Sequence, residues 1–237
     1  CVEVVNGGVE GYDSQNVLWR MGEFKGLRPG ITLVELGWND IYRDLDSGMM
    51  PLATLEFIAK TKRFLTRRFG DPQEIALEDY HRPKSSERDS PAVRKLDSYT
   101  PDRFVRQLEK IVHGLEAAGS RVVLLTLPGL FQMDIPPSPE ALKMGHLPYF
   151  TDNPYFLAKL TERYNAAIRQ TGKRLNLVVI DLATWSRTAF TPRYRYFTDS
   201  VHLTPKAQEK SGLFIAEQLR KRLPDQLKAS RSTQAIK

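Results

Sequence analysis

Four short runs of apolar, mostly β-branched residues constrain the fold of this chain most strongly. Each run is continuous rather than alternating with polar residues, which indicates strands that are covered on both faces. Helical patterns separate the runs, and the repeated order of strand and helix predicts a parallel sheet in an α/β fold. The predicted strands are residues 2–5, 31–36, 121–127 and 175–180, and the predicted helices are residues 14–21, 52–69, 101–118, 154–170 and 205–223.

The size of the chain favours one globular domain. Its 237 residues are 41% apolar and 27% charged, which is enough to bury a core without a disulfide or a metal. We expect that domain over residues 1–224, with a charged excursion at residues 71–98 and a disordered, polar and basic tail at residues 225–237. No apolar run approaches the ~20 residues that span a bilayer, so the sequence excludes a membrane span.

The net charge of +7 is spread along the chain. No aromatic and basic recognition motif accompanies it, so we expect no nucleic-acid partner. The chain begins at Cys1 and enters an apolar run at once, without a signal-peptide pattern. Such a start inside a strand indicates a fragment, and a mature lipoprotein, which also begins with Cys, is the alternative. The compartment and the oligomeric state stay open.

Metal and nucleotide sites have little support in the sequence. A single cysteine offers no cluster for zinc or iron–sulfur. His81, His113 and His146 lack paired ligand spacing, and neither a Walker loop nor a GxGxxG fingerprint follows a predicted strand. We therefore expect no metal and no cofactor.

The residues that follow the predicted strands are the first candidates for a site, because ligands of parallel α/β sheets bind beyond the carboxyl ends of the strands. Asp199 and His202 lie three apart, just before a helix start marked by Thr204 and Pro205. The carboxylate can accept a hydrogen bond from the imidazole Nδ1–H and leave Nε2 as a general base. The same spacing also suits a surface histidine beside a capping aspartate.

Two further strand ends carry candidate donors to an oxyanion. Asn39, in residues 37–40 (Gly-Trp-Asn-Asp), has a side-chain amide that can donate to a developing negative charge, or it can simply form a turn. Gly11, in residues 6–14 (Asn-Gly-Gly-Val-Glu-Gly-Tyr-Asp-Ser), can offer a bare backbone N–H or be a turn glycine.

Taken together and in this order, these segments resemble the SGNH (GDSL-type) hydrolase family over nearly the whole chain. Residues 6–14 are similar to the second family block, with Gly11 its functional glycine. Residues 37–40 match the third block, Gly-x-Asn-Asp, and Asp199 with His202 match the fifth. The resemblance implies a flavodoxin-like, three-layer α/β/α domain, and a Ser-His-Asp ester hydrolase that forms an acyl-enzyme. It implies an oxyanion hole in which Gly11 and Asn39 take part, and no cofactor.

The chain departs from the family at the first block. The Gly-Asp-Ser nucleophile should precede the Gly11 block on the central strand of the sheet, and only ten residues precede Gly11. We therefore expect the nucleophile to lie upstream of this chain, and the chain as given to be inactive. Ser14 is expected to cap or begin a helix, and Ser200 to be structural because it is too close in sequence to meet Nε2 of His202.

The expected substrate is a small-molecule, lipid or glycan ester. Aromatic residues in the connections after the third predicted strand and before Asp199 can line a pocket or pack the loops onto the domain. Two alternatives stay open: a non-catalytic binding module of the same fold, and an acyl transferase or deacetylase that acts on a glycan.

Overall fold

A three-stranded parallel sheet forms the centre of the structure, a computed structural model that describes residues 3–43, 83–84 and 86–224. The strands are β1 (Ile31–Val34), β2 (Arg121–Leu125) and β3 (Val178–Ile180), in that spatial order. Both strand pairs are parallel, with Ile31 opposite Arg121 and Val123 opposite Val178. The predicted α/β class with a parallel sheet is confirmed.

The helices pack around this sheet and account for most of the regular structure. Their bounds are α1 (Ser14–Trp19), α2 (Met21–Gly26), α3 (Trp38–Tyr42), α4 (Pro91–Lys95), α5 (Asp102–Glu116), α6 (Pro139–Met144), α7 (Pro154–Arg174), α8 (Leu182–Ala189) and α9 (Pro205–Arg222), with a 3-10 turn at Arg193–Arg195.

Side chains of the strands alternate between two cores. Val122 and Leu124 point into the larger core, which the buried faces of α5 and α7 complete. Val123 and Leu125 point to the opposite face and pack with apolar residues of α9. The successive residues of β2 therefore place helices on both sides of the sheet, which gives the three layers.

Residues 3–5, the described part of the strand predicted at residues 2–5, do not form a strand. Residues 3–5 lie outside any strand, and the exposed fractions of Val4 and Val5 are 86% and 59%. An extended segment needs a neighbouring strand to pair its N–H and C=O groups, and the described residues place none beside it. Within them β1 pairs with β2 alone. A central strand beside β1 stays a prediction.

The border between α7 and β3 differs from the predicted one. The helix was expected to end at residue 170 and the strand to begin at residue 175, but α7 continues to Arg174 and β3 begins at Val178. Gly172 allows this close approach, because a Cβ there would lie 2.2 Å from Cγ2 of Val179. The glycine therefore allows close helix–strand packing.

The other predicted elements agree with the structure to different degrees. The pattern at residues 14–21 divides into α1 and α2. The helix predicted from residue 101 begins one residue later, since α5 starts at Asp102 with Pro101 at its N-cap. Thr204 caps α9 as predicted, since its side chain accepts from the backbone N–H three residues on.

The predicted helix 52–69 and the tail 225–237 lie outside the described residues. The described part of the excursion 71–98 contains α4.

Candidate active site

Asp199 and His202 are in direct contact in the loop that precedes α9. Nδ1 of His202 lies 2.6 Å from Oδ2 of Asp199, while Oδ1 accepts the backbone N–H groups of Val201 and His202, each at 2.8 Å. A neutral imidazole that donates through Nδ1 carries its lone pair on Nε2. The His202 side chain is 70% exposed, so a ligand can reach this nitrogen.

The loop around this pair is held by its own backbone. Phe197 and Leu203 form an isolated antiparallel bridge, and the N–H of Thr198 donates to the carbonyl of His202 at 2.9 Å. The N–H of Thr204 donates to a further backbone carbonyl just before α9 begins. The two backbone ends of the loop are therefore fixed, which holds the two side chains at bonding distance.

The environment of Asp199 favours its ionised form. Burial alone would raise the pKa of this carboxyl. Interactions with the His146 side chain, with the backbone N–H groups of His202 and Val201, and with the His202 ring more than offset it, so the pKa is held well below its usual range. The carboxylate is consequently charged at neutral pH and can stabilise an imidazolium.

Gly11 and Asn39 are brought together at the start of α3. The Asn39 side-chain amide donates one hydrogen to the carbonyl of Tyr12 at 2.9 Å, which leaves its second N–H for another acceptor. Arg43 binds the same segment. Its guanidinium donates to the Gly11 carbonyl at 2.9 Å and to the Asp13 carboxylate at 3.0 Å. Gly11 has a φ of +76°, and a Cβ there would meet nothing within 4 Å.

Gly37 fixes where α3 begins. Its φ is +135°, a conformation that L side chains rarely adopt, and a Cβ would lie 2.8 Å from Cδ1 of Leu127. Its carbonyl accepts the first helical bond, from Ile41 N–H at 2.7 Å. A glycine is therefore required at this position for both conformational and steric reasons, and it sets the position of Asn39 two residues later.

The two serines near the predicted site have structural surroundings. Ser14 is the first residue of α1 and is fully buried, and its hydroxyl lies within hydrogen-bond distance of two acceptors, the carboxylate of Asp40 and Oε1 of Gln107. Burial raises the pKa of Asp40, and the bonds from Ser14 oppose that effect. Ser200 is 1% exposed, and its hydroxyl accepts the backbone N–H of His146 at 2.9 Å. Neither hydroxyl lies in an exposed position.

Asn39 contacts the residue after Gly11, Asp199 contacts His202, and α3 touches the surroundings of both contacts. Asn39 near the start of α3 contacts the Gly11 segment, whereas Tyr42 at its end donates from its hydroxyl to the carbonyl of His146 at 2.5 Å. Nδ1 of His146 lies 3.7 Å from Oδ2 of Asp199.

Sequence reasoning assigned no role at the site to His146. It lies 53 residues before Asp199 and belongs to no motif, so only the three-dimensional structure reveals the contact.

Most aromatic residues of the two long connections pack into the core. The exposed fractions of Phe156, Phe190 and Phe197 are 2% or less, and Phe190 stacks on Tyr196 with ring centroids 5.0 Å apart. Tyr149 is an exception, with 38% of its surface exposed. These connections therefore mainly anchor the loops that carry Asp199 and His146.

The described residues carry no signal for a metal ion or for a membrane span. Across residues 3–43, 83–84 and 86–224, no group of three or more His, Cys, Asp or Glu side chains is placed to hold a metal ion. None of the helices in these ranges has both the length and the apolar character needed to cross a membrane.

Comparison with known proteins identifies the family. The sequence matches the model of the GDSL-like lipase/acylhydrolase family over residues 2–210. No curated protein matches.

Two similar solved structures have the same fold. A GDSL-like lipase from Bacteroides thetaiotaomicron has a TM-score of 0.52 at 14% identity, with 91% of this chain and 75% of that chain covered. An acetyl xylan esterase has a TM-score of 0.52 at 13% identity, with 92% and 81% covered. Identities this low show the fold alone. Because the family model spans most of the sequence, this chain belongs to the GDSL-like lipase/acylhydrolase family.

Proposed function

We propose that this protein is a serine-type ester hydrolase in which Asp199 and His202 carry out the proton transfers. The family consists of lipases and acylhydrolases. The observation that carries the proposal is the 2.6 Å contact between Oδ2 of Asp199 and Nδ1 of His202, beside a second carboxylate oxygen already bound by two backbone N–H groups. That arrangement orients the imidazole and leaves Nε2 for a hydroxyl group.

The proposed reaction proceeds in two halves. In the first, Nε2 of His202 takes the proton of a serine hydroxyl as its oxygen attacks the ester carbonyl, and the same proton then passes to the departing alcohol. In the second, His202 deprotonates a water molecule that attacks the acyl-enzyme, and the serine regains its proton as the acid leaves. The Asp199 carboxylate stabilises the imidazolium in both halves.

Gly11 and Asn39 are the proposed oxyanion donors. The second amide hydrogen of Asn39 and the backbone N–H of Gly11 would stabilise the negative oxygen of each tetrahedral intermediate. Because this oxygen is fully charged only near the transition state, loss of a donor should lower kcat more than it raises KM.

The nucleophile is proposed to be a serine of a Gly-Asp-Ser block N-terminal to the Gly11 segment, as the family resemblance implies. The buried positions of Ser14 and Ser200 support an assignment outside these two residues. The proposed substrates are esters of small molecules, lipids or glycans.

Labelling and turnover test this proposal together. The chain of 237 residues and the same chain extended by its upstream coding sequence are treated with a fluorophosphonate probe and assayed with p-nitrophenyl acetate. We expect labelling and hydrolysis in the extended protein alone. There, His202→Ala should reduce turnover by several orders of magnitude, whereas His113→Ala, on α5, should leave it unchanged.

Two results would contradict the proposal. Stoichiometric labelling of Ser14 in the chain as given would overturn the assignment of the nucleophile. Retention of more than about a tenth of the activity in His202→Ala would overturn the assignment of the base.

A further inference from the structure

The Gly11 segment, which extends from Gly11 to Ser14, is bound to helix α3 at several points. Asn39 near the start of α3 donates to the carbonyl of Tyr12 at 2.9 Å. The next residue of the helix, Asp40, accepts the backbone N–H of Ser14 at 3.0 Å. These two contacts hold the middle and the end of the segment on α3, and neither of them involves its first residue.

Arg43, which directly follows α3, binds that first residue. Its Nη2 atom donates to the Gly11 carbonyl at 2.9 Å, and its Nη1 atom donates to Oδ2 of Asp13 at 3.0 Å. The other oxygen of Asp13 accepts the backbone N–H of Asn16 at 2.9 Å, in the first turn of α1. The planar guanidinium therefore reaches the Gly11 carbonyl and a fixed carboxylate at the same time, which the single ammonium group of a lysine cannot do in the same geometry.

The backbone conformation of Gly11 decides where its N–H points. Residues 9–12 form a β-turn, since the N–H of Tyr12 donates to the carbonyl of Val9 at 3.2 Å. Gly11 is the third residue of the turn and has a φ of +76°, whereas Glu10 is not one of the described residues with a positive φ. This pattern is that of a type II turn. Its central peptide is rotated by about half a turn relative to a type I turn, so the turn type sets the face to which the Gly11 N–H points.

The position of this N–H relative to Asn39 needs a further contact. A Cβ on Gly11 would meet nothing within 4 Å, so the glycine is required for its conformation and not for space. That conformation sets the direction of the N–H, while the bonds to α3 set the place of the turn. Among the three contacts with α3 and Arg43, the one from Arg43 is made to Gly11 itself.

We propose that Arg43 is a positioning residue that holds the Gly11 turn against α3, so that the N–H of Gly11 and the amide of Asn39 face the same oxyanion. The inference rests on the proposed function, because that function gives these two groups their role as donors. Arg43 touches neither the substrate nor the reacting atoms and acts through the position of Gly11.

Loss of Arg43 should slow the chemical step in the extended protein. Displacement of a catalytic group by about 1 Å can reduce a rate by about 10²-fold, so Arg43→Met should lower kcat by roughly 10-fold to 10²-fold. KM should change by less than about 2-fold, because the donors act on an oxygen that is fully charged only near the transition state. Arg43→Lys keeps a cation for one of the two acceptors and should recover part of the lost kcat. The Arg43 side chain is 53% exposed, so neither substitution opens a cavity in the core.

Arg20→Met is the matched control. Arg20 carries the same charge, but it donates to the Tyr12 hydroxyl at 3.0 Å and to the Glu23 carboxylate rather than to the backbone of the turn. We expect the unaltered kcat in this variant.

A double variant tests whether Arg43 acts through Gly11. Gly11→Ala disfavours the positive φ and turns the N–H away, so the position of the turn then matters less. Arg43→Met should therefore cost less in kcat when it is added to Gly11→Ala than when it is made alone. Fully additive losses would overturn the proposal.

Amide hydrogen exchange, followed by NMR in the 237-residue chain, tests the contact without a substrate. The N–H of the buried Ser14 donates to the Asp40 carboxylate and so reports on the attachment of the Gly11 segment to α3. Arg43→Met should speed the exchange of this N–H by about 10-fold. The N–H of Ile41, bonded to the Gly37 carbonyl at the start of α3, should exchange at the same rate in both proteins. An unchanged rate at Ser14 would show that the segment does not depend on Arg43 and would overturn the proposal.

The two kinds of measurement separate this inference from the proposed function. If the extended protein with Arg43 intact hydrolyses no ester, the proposed function fails, while the exchange rates still decide whether Arg43 holds the segment. If the extended protein is active, an equal loss of kcat in Arg43→Met and Arg20→Met would attribute the effect to charge alone and contradict the role of Arg43. A change confined to KM in Arg43→Met would contradict it as well.

Discussion

Replacement of Gly37 by alanine should destabilise the fold at the point where it sets the position of Asn39. Two costs follow from the geometry. A φ of +135° is unfavourable for an L side chain by about 1 to 3 kcal/mol. The new Cβ would also lie 2.8 Å from Cδ1 of Leu127, which is 1% exposed, and overpacking of such a core costs about 1 to 3 kcal/mol. We expect a loss of about 2 to 6 kcal/mol in the free energy of unfolding, a large share of a domain's net stability.

Urea unfolding followed by circular dichroism measures this loss, and two further variants identify its causes. Leu127→Ala removes the methyl group that the new Cβ would meet, so the double variant should lose about 1 to 3 kcal/mol less than the sum of the single losses. Gly212→Ala, at an open position within α9, should instead gain about 0.5 to 1 kcal/mol. Strict additivity in the double variant, together with a loss below about 1 kcal/mol for Gly37→Ala, would refute the reasoning.

Three further outcomes are expected. Gly172→Ala should lower the free energy of unfolding by about 1 to 3 kcal/mol in the same assay, because the new Cβ would lie 2.2 Å from Cγ2 of Val179; a gain like that of an open helix position would contradict this contact. Burial acts to raise the pKa of Asp181, but bonds from Arg169 and neighbouring groups lower it from 3.8 to about 2. The unfolded chain therefore binds the proton first, and the stability present above pH ~4 should be lost as the pH falls towards 2; urea unfolding across this range should show a flatter loss in Arg169→Gln. Asn39→Ala in the extended, active protein should reduce kcat by roughly 10² to 10³ with little change in KM, as steady-state kinetics would show; an effect confined to KM would argue against an oxyanion donor.

Features that depend on residues close together in the chain were predictable from the sequence. Thr204 and Pro205 form a local cap signal, and α9 begins where that signal places it. Asp199 and His202 lie in one loop, so their spacing favoured a contact between them, although the same spacing also suited a surface histidine beside a capping aspartate. The apolar runs at β1 and β2 predicted the parallel sheet because strands covered on both faces need continuous apolar residues.

Features that depend on distant partners were not predictable in this way. The apolar run at residues 2–5 has the composition of a strand, but a strand also requires a neighbour, and composition carries no information about that neighbour. The predicted helix ended at residue 170, whereas α7 continues past Gly172, whose close approach to Val179 on the adjacent strand no local pattern shows. His146 reaches Asp199 only because anchors from Tyr42 and Ser200 bring a remote loop to the site.

The helix α3 is only five residues long, and its movements affect the geometry of the whole proposed site. Asn39 and Tyr42 belong to one rigid turn whose Ile41 is fully buried, so any displacement of α3 against the sheet carries both side chains in the same direction. Through Tyr42 that displacement also reaches the His146 backbone and hence the neighbourhood of Asp199. The proposed oxyanion donor and the proton-transfer pair should therefore move together when α3 moves. The distance between them then varies less than the position of either one.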